Sequence, residues 1–413
     1  MSSRRAEPQP SALRSQPSAK RLLIAGVSCR AAAESAARAG FDVTTIDAFG
    51  DLDQHPSVRA VSVPRDMGGR FTPAAAARAA RSFDCDAVAY LSSFENHPRA
   101  VASLSAGRVL LGNSSAVLRR VRDPFEVARV LRKRGHAVLS TRVSSTRTGR
   151  WLLKPVLSGG GGRVRVWQPG GGVPRGFYLQ EFVEGTPGSI VFVAARGRAV
   201  PIGISRQLAG APAFGATGFK YCGSILAPAG DAQFARDKTL VRTASALART
   251  IAEEFELVGV NGIDFVARDG VPYAIEVNPR WTASMELVER AYGLPVFAAH
   301  AAACVDGVLP ASGDFNLSAA RRRLRGIQAF GKAIVYARDE VTVGDTRDWI
   351  ASGIRDVPHP REKIAAGRPV CTVLATGRDA LDCHAALVER AGRVYAELAP
   401  PSLRVRRQKA SRA

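Results

Sequence analysis

Three oxygen-bearing side chains lie on two neighbouring apolar segments of the chain. Asp264 interrupts the run 262–266, and Glu276 and Asn278 stand two positions apart in the run 273–278. An Asp-Gly turn signal between the runs predicts a β-hairpin, and a spacing of two places Glu276 and Asn278 on one strand face. Carboxylates within apolar strands are destabilising unless a cation neutralises them, and such oxygen ligands suit magnesium shared with a phosphate. The pattern predicts Asp264, Glu276 and Asn278 as metal ligands, with an exposed hairpin face as the alternative.

A run of four glycines follows a lysine. Lys154 lies in the apolar segment 151–155, and the glycines are Gly159, Gly160, Gly161 and Gly162. Successive glycine N–H groups approach phosphate oxygens without side-chain obstruction, and a nearby lysine adds a point charge. Because the run joins two predicted strands and does not open a helix, it predicts a mobile hairpin lid over phosphates. A flexible surface hairpin is the alternative.

The stretch 180–185 alternates polar and apolar residues before a glycine turn. An extended segment of this kind pairs its backbone with the edge of an adenine ring, while an acidic side chain takes a ribose hydroxyl. An ordinary edge strand is the alternative. The residues of interest in this stretch are Gln180, Glu181, Val183 and Glu184.

The elements that must position these residues begin with a parallel sheet. Residues 21–26 predict a buried strand, 31–39 a helix stopped by Gly40, and 41–47 a second strand, which together form a βαβ unit. The pattern changes near Trp151 to short antiparallel strands broken by glycine. The fold class predicted is therefore α/β and α+β, with an N-terminal Rossmann-like parallel sheet and a small C-terminal α/β domain.

Composition shifts predict the domain boundaries. The first 20 residues are rich in Arg, Ser, Pro and Ala, and the last 13 are basic, so both ends are expected to be disordered tails. The predicted divisions are a tail at 1–20, an N-terminal βαβ domain at 21–115, a two-lobed domain at 116–312 with its lid at about 145–185, a small domain at 320–400, and a basic tail at 401–413.

Composition also limits the class of function. The chain of 413 residues has a formal net charge of +22, but its arginines are scattered, so we expect nucleic-acid binding to be unlikely. No apolar run is long enough for a membrane helix, and a cytoplasmic location follows as the expectation. The six cysteines show no metal-ligand spacing and are expected to be reduced core residues. A near match to the P-loop at 326–333 is rejected, because Ala333 lacks the hydroxyl and a strand follows.

The order of these motifs resembles the ATP-grasp superfamily over about residues 20–310. In that superfamily the nucleotide lies between two α+β lobes. The resemblance implies that Lys154 contacts the α- and β-phosphates and that Gly159 to Gly162 close over them. It implies that Gln180 faces the adenine amino group, that Glu181 and Val183 bind the ring through their backbones, and that Glu184 lies near the ribose. It further implies that Asp264, Glu276 and Asn278 hold Mg²⁺, with Mn²⁺ as the alternative, and that Arg280 steadies the transferred phosphoryl group or the substrate carboxylate.

One position departs from the family pattern. Family members commonly have a Lys directly after an Asp at the start of this domain, whereas this chain has Arg122-Asp123-Pro124. A second phosphate contact is therefore missing or supplied by Arg119, Arg120 or Arg122.

A narrower resemblance is to the predicted ATP-dependent carboligases related to biotin carboxylase, some of which accompany pterin-linked one-carbon metabolism. The segments 93–96, 111–113 and 218–223 fit that group, the last bordering the acceptor site. The resemblance implies an ATP-dependent ligase that activates a small-molecule carboxylate as an acyl phosphate for attack by an amine, with pterin- or furan-linked one-carbon cofactor biosynthesis as one option for its pathway. It also implies a homodimer as one option. The alternatives are a carboxylase acting through carboxyphosphate and a non-catalytic nucleotide- or nucleic-acid-binding protein.

Overall fold

The structure is a computed structural model that describes residues 21–144, 148–227, 231, 233–293, 295–311 and 329–399. Both predicted tails and the basic run at 321–325 lie outside the described residues. Among the described helices, none combines the length and apolar character needed to cross a membrane.

The N-terminal unit is a five-stranded, all-parallel sheet with strand order β3-β2-β1-β4-β5. Its core is aliphatic and aromatic, and the alanine-rich α1 fits closely because alanine buries without side-chain entropy loss. The prediction of a βαβ opening is confirmed. The elements are β1 (Arg21–Ala25), α1 (Arg30–Arg38), β2 (Asp42–Asp47), β3 (Val58–Ser62), α2 (Pro73–Ala79), β4 (Ala87–Tyr90), α3 (Pro98–Leu104) and β5 (Val109–Leu111).

Two helices lead into a small antiparallel sheet. The second of them begins at Pro124, and the Asp123 side chain caps it by accepting from the N–H groups of Phe125 and Glu126. The sheet has strand order β6-β9-β7-β8 and a core built on Trp151, Leu153, Trp167 and Leu179. These elements are α4 (Ser115–Val121), α5 (Pro124–Lys133), β6 (Thr141–Arg142), β7 (Trp151–Pro155), β8 (Arg165–Val166) and β9 (Phe177–Glu181).

A seven-stranded antiparallel sheet forms the centre of the molecule, in the order β14-β13-β10-β11-β12-β15-β18. Helices α6, α7 and α8 cover it with apolar faces. The elements are β10 (Thr186–Ala195), β11 (Arg198–Ala209), β12 (Tyr221–Leu226), α6 (Asp237–Glu254), β13 (Gly259–Arg268), β14 (Val271–Asn278), α7 (Ala283–Tyr292) and α8 (Val296–Val305).

The C-terminal segment extends this sheet. Its strand β15 pairs with β12 over four residue pairs, and β18 pairs with β15, so its two long strands do not form a sheet of their own. It still has a separate apolar cluster beneath its last helix. The elements are β15 (Ala329–Tyr336), β16 (Val341–Thr342), α9 (Arg347–Ala351), β17 (Lys363–Ile364), β18 (Pro369–Gly377) and α10 (Ala380–Leu398).

Hydrogen bonds hold the N-terminal unit against the end of β14. The buried Tyr90 hydroxyl lies within 3.0 Å of the Asn113 carbonyl and 3.1 Å of the Pro279 carbonyl. The Asn113 amide donates to Asn261 Oδ1 at 2.8 Å. The carboxyl ends of β4 and β5 are thereby held beside the segment that follows Asn278.

Candidate functional site

Asp264 and Glu276 are direct cross-strand neighbours on β13 and β14. Asn278 lies two residues further along the same face, opposite Gly262. Burial, with the negative charge of Glu276 as the next cause, raises the pKa of Asp264 to about 6. The three predicted metal ligands therefore converge, and the repulsion between the Asp264 and Glu276 carboxylates favours the binding of a cation between them.

The donor set fits magnesium. Two carboxylates and an amide oxygen are hard ligands, and they would hold Mg²⁺ together with phosphate oxygens of a nucleotide. Among the described residues no group of three His, Cys, Asp or Glu side chains forms a protein-only metal cage. The remaining ligands of an ion held here would come from water or from a bound molecule.

Arg122 is the basic residue that reaches Glu276. Its guanidinium lies 2.7 Å from a carboxylate oxygen of Glu276, and its side chain is only 8% exposed. Burial would raise the pKa of Glu276, but the positive charges of Arg122, Lys154 and Arg280 outweigh it and hold that pKa below its usual value. Of the three arginines left open by the sequence, Arg122 alone lies in the cleft, whereas Arg119 and Arg120 are exposed.

A chain of polar contacts runs from Asp264 toward the N-terminal unit. The Asn278 amide nitrogen donates to Asp264 at 2.9 Å, and its oxygen accepts from Arg280 at 3.1 Å. Arg280 in turn lies 2.7 Å from Oε1 of the buried Glu95. Within the described part of the chain, Arg280 Nε, Glu95 Oε2 and Thr282 Oγ1 are buried and lack hydrogen-bond partners. Such a concentration of unpartnered polar atoms is typical of a ligand site.

Lys154 lies on β7 in a cleft between α5, the small sheet and β14. Its ammonium donates to Gln180 Oε1 at 2.9 Å and to the Ile275 carbonyl at 3.1 Å. Burial lowers the pKa of Lys154, which Glu276 partly opposes. The cleft has a volume of about 630 Å³ including its open mouth, is mostly apolar at the helix side, and is polar at the end formed by Lys154, Gln180, Glu276 and Arg122.

The glycine run forms the connection between β7 and β8, so the predicted hairpin is confirmed. It packs against the start of β12, where the Tyr221 N–H donates to the Gly160 carbonyl at 2.9 Å. At Gly161, where φ is +70°, an added Cβ would lie 2.0 Å from the Phe219 carbonyl oxygen. Glycine is required there both for the backbone angle and for the close approach.

The predicted base and ribose residues line a second depression next to the cleft, bordered by Glu181, Val183 and Glu184 and sharing Val138 and Leu139 with it. The Glu181 N–H donates to the Ser140 carbonyl at 2.9 Å, so a bond from Glu181 to a base has to use its carbonyl. Within the described residues, the Val183 N–H has no hydrogen bond. Glu184 forms an exposed ion pair with Arg150. Gln180, the fourth predicted base and ribose residue, does not border this depression, because its side chain lies in the cleft and accepts from Lys154.

Two further sequence features lie away from the cleft. Lys332 of the rejected P-loop match is on strand β15, where its ammonium lies 2.6 Å from the buried Glu286; residues 326–328 lie outside the described residues. Lys220 stands over the Tyr336 ring at 3.6 Å and donates to the Gly367 carbonyl, which ties it to the C-terminal segment. The pKa of Lys220 is lowered by its partial burial.

Sequence reasoning did not assign a role to Glu95 or Asn96. Asn96 accepts from Arg122 at 2.8 Å and donates to the Ser158 carbonyl at 3.2 Å, so it links the N-terminal unit to the glycine hairpin. A signal existed, because Glu-Asn lies in the loop that follows the predicted strand at 87–91, and the carboxyl ends of parallel strands commonly form sites.

Comparison with known proteins agrees with this geometry. A family model described as an ATP-grasp domain matches residues 121–284, which include Arg122, the glycine hairpin and the pair Asp264 and Glu276. A protein of Methanocaldococcus jannaschii described as uncharacterized is 26% identical over 132 residues, which cover 30% of this chain and 28% of that protein.

Two solved structures share the architecture over most of the chain. Biotin carboxylase from Campylobacter jejuni, in a βγ-ATP complex, has a TM-score of 0.67 at 13% identity and covers 89% of this chain and 90% of its own. L-amino acid ligase from Bacillus licheniformis has a TM-score of 0.63 at 17% identity and covers 90% and 96%. At these identities the likeness establishes the fold. The chain thus contains a segment, 121–284, that matches the ATP-grasp domain, and its fold is similar to that of these two proteins.

Proposed function

We propose that the protein is a Mg-ATP-dependent ligase that activates a small-molecule carboxylate as an acyl phosphate, which an amine then attacks. The observation that carries the proposal is the pairing of Asp264 with Glu276 at the end of a cleft. Three cationic side chains surround this pair, namely Arg122, Lys154 and Arg280. Such a mixture of acids and bases suits a metal-bound triphosphate better than either charge alone.

The cleft suits a nucleotide in one orientation. The adenine ring lies toward Glu181 and Val183, with Glu184 near the ribose, and the phosphates extend past Lys154 to the acidic pair. ATP and Mg²⁺ are the cofactors proposed, and Mn²⁺ has the same ligand preference. When bound, the metal ion neutralises phosphate charge and polarises the bond that breaks.

The first step transfers the γ-phosphoryl group to the substrate. A carboxylate oxygen attacks the γ-phosphorus, the bond to the β-phosphate oxygen breaks, and ADP leaves with the electron pair. Lys154, Arg122 and Arg280 are placed to neutralise the charge that builds on the phosphoryl oxygens. The amine then attacks the acyl carbon, and phosphate leaves.

The glycine hairpin has a protective role in this scheme. An acyl phosphate hydrolyses when water reaches it, so the site has to close during turnover. The hairpin already contacts Arg122 through the Ser158 carbonyl and the first residue of β12, Tyr221, through the Gly160 carbonyl. Its closure is therefore the step that commits the substrate.

The finer predictions from the sequence belong to this proposal. They are a place in pterin- or furan-linked one-carbon metabolism, a cytoplasmic location and a homodimer. A product identified by mass spectrometry tests the first.

An ADP-release screen tests the proposed function. Purified protein, Mg-ATP, and pools of amino acids, amines and pterin or furan precursors should give ADP and a condensed product. Bicarbonate-dependent release without amine would assign a carboxylase, and nucleotide binding with no release in any pool would overturn the ligase proposal. Glu276→Gln and Asp264→Asn should both abolish release, with thermal denaturation showing that the variants fold.

A further inference from the structure

A buried acid of the N-terminal unit forms an ion pair with Arg280, the arginine that follows the metal-ligand strand β14. Glu95 lies in a short helical turn after β4 and is 1% exposed. Its Oε1 atom contacts Arg280 at 2.7 Å, whereas its Oε2 atom has no hydrogen-bond partner in the described part of the chain. A buried carboxylate oxygen without a donor is unfavourable unless a ligand supplies one.

Three elements of the proposed site converge on this carboxylate. Arg280 follows the metal-ligand strand β14, and Glu95 lies in the turn that comes after β4. The glycine hairpin lies alongside, since a Cβ added at Gly159 would be 3.9 Å from Glu95 Oε1. The adjacent Asn96 also donates to the Ser158 carbonyl at 3.2 Å. Glu95 therefore lies where a molecule under the closed hairpin meets Arg280.

The charges at this corner determine which molecule fits. Arg122 is engaged with Glu276, which leaves Arg280 as the ion-pair partner of Glu95. When Arg280 turns to a substrate carboxylate or a phosphoryl group, Glu95 becomes a buried anion without its cation. A primary ammonium group restores the balance and donates to Oε2. Bicarbonate adds a second anion, and an alcohol adds no charge.

We propose that Glu95 forms the subsite for the nucleophile and binds a primary amine as its ammonium ion. This inference rests on the proposed function and names the chemical class of its second substrate. The ammonium transfers one proton to Glu95 and becomes the neutral amine. Its lone pair then forms the C–N bond, the acyl C–O bond to phosphate breaks, and the second proton leaves nitrogen with the phosphate as HPO₄²⁻. Glu95 finally returns its proton to water.

Binding tests the subsite without turnover. Ethylammonium chloride and ethanol serve as probes in saturation-transfer NMR on the full chain with Mg²⁺ and a non-hydrolysable ATP analogue. The net charge of +22 keeps nonspecific cation binding low. We expect saturation transfer to ethylammonium but not to ethanol, and at least tenfold weaker binding of ethylammonium in Glu95→Gln. No transfer to ethylammonium in the unmodified protein, or equal transfer in Glu95→Gln, overturns the proposal.

Two variants guard against loss of the fold. Glu253→Gln is the matched control, because Glu253 is a surface acid that also pairs with an arginine, 2.7 Å from Arg134. It should bind ethylammonium as the unmodified protein does. Glu95→Asp keeps the charge and should retain binding within about fivefold, whereas loss equal to that of Glu95→Gln would show that only shape matters and would overturn the assignment.

Kinetics separate this inference from the proposed function. Hydroxylamine is largely neutral at pH 8, whereas ethylamine is a cation. Glu95→Gln should raise the KM for ethylamine at least tenfold and leave the KM for hydroxylamine within twofold. Equal losses for both nucleophiles contradict an ammonium subsite. If ADP release fails with every carboxylate pool while Glu95-dependent ethylammonium binding persists, the ligase proposal fails and the subsite stands.

Discussion

The guanidinium of Arg122 lies 2.7 Å from a carboxylate oxygen of Glu276, which is one of the two acids that we expect to hold the metal ion. Arg122 also donates to the Val277 carbonyl at 2.7 Å and to the Ser158 carbonyl at 2.9 Å. One side chain thus touches the metal-ligand strand and the base of the glycine hairpin. A nucleotide entering with its cation competes for both partners, so Arg122 is placed to move from carboxylate to phosphate.

Arg122→Gln should weaken nucleotide binding by about 10- to 100-fold, the effect of removing one charge-assisted contact to phosphate. Arg122→Lys keeps the charge but loses the forked geometry, so its nucleotide affinity should lie between that of the unmodified protein and that of Arg122→Gln. Titration with a fluorescent ATP analogue in the presence of Mg²⁺ measures the change.

Arg120→Gln is the control for this prediction. Arg120 is exposed and pairs with Glu126 on the outside of α5, 3.0 Å away. Its substitution should leave the affinity unchanged. An equal loss in both variants would show that general surface charge, and not a contact in the cleft, governs binding.

Asp264→Asn should stabilise the ligand-free protein at neutral and alkaline pH. The folded-state pKa of Asp264 is about 6, above its ordinary value of 3.8, so ionisation destabilises the fold as pH rises between these values. The variant should gain about 3 kcal/mol in the free energy of unfolding at pH 8, less whatever its weaker hydrogen bonds to Gln207 and Asn278 remove, and nothing below pH 4. Urea unfolding at both pH values measures this.

The same variant should lose the stabilisation that Mg-ATP gives the unmodified protein. Substitution of a charged functional residue is expected to raise the stability of the ligand-free protein and, at the same time, to remove its stabilisation by the ligand. If Asp264→Asn is less stable than the unmodified protein at pH 8, the pKa of Asp264 is not raised in the folded protein.

Local pattern was sufficient to predict the strands that carry the acids. The predicted runs at 262–266 and 273–278 lie within β13 and β14, because apolar residues around an Asp-Gly turn leave few alternatives. The same holds for the glycine run at Gly159 to Gly162. The strands predicted on both sides of it indicated a hairpin and not a loop that opens a helix.

Long-range contacts could not be predicted in this way. The contact of Arg122 with Glu276 joins residues 154 positions apart, and nothing in the local sequence distinguishes Arg122 from its neighbours Arg119 and Arg120. The pairing of β15 with β12 was missed for the same reason, since sheet neighbours depend on the whole topology.

His300 should make stability depend on acid pH. Burial lowers its pKa from 6.5 to about 4, while it accepts from the Val260 N–H at 2.9 Å. The unfolded chain takes up the proton first, so the contribution of neutral His300 to stability is fully present above pH 6.5 and is lost as pH drops toward 4, by at most about 3 kcal/mol. His300→Asn should remove this slope, whereas His97→Asn at an exposed position should keep it. Unfolding measured from pH 4 to 8 decides.

Gly161→Ala tests whether the hairpin has to pack against the segment before β12. An added Cβ at this position would meet the Phe219 carbonyl oxygen at 2.0 Å, and φ is +70°. Both the Phe219 carbonyl and residue 161 belong to the backbone, so the clash can be relieved only by a backbone shift. We therefore expect impaired closure of the hairpin and a fall in ATP turnover of about tenfold or more, with a smaller change in nucleotide affinity. Gly172→Ala is the control, because that glycine lies in the same small sheet region and a Cβ there meets nothing within 4 Å. Single-turnover and steady-state ADP release measure the two steps. Unchanged turnover in Gly161→Ala would mean that this contact is not part of the closed state.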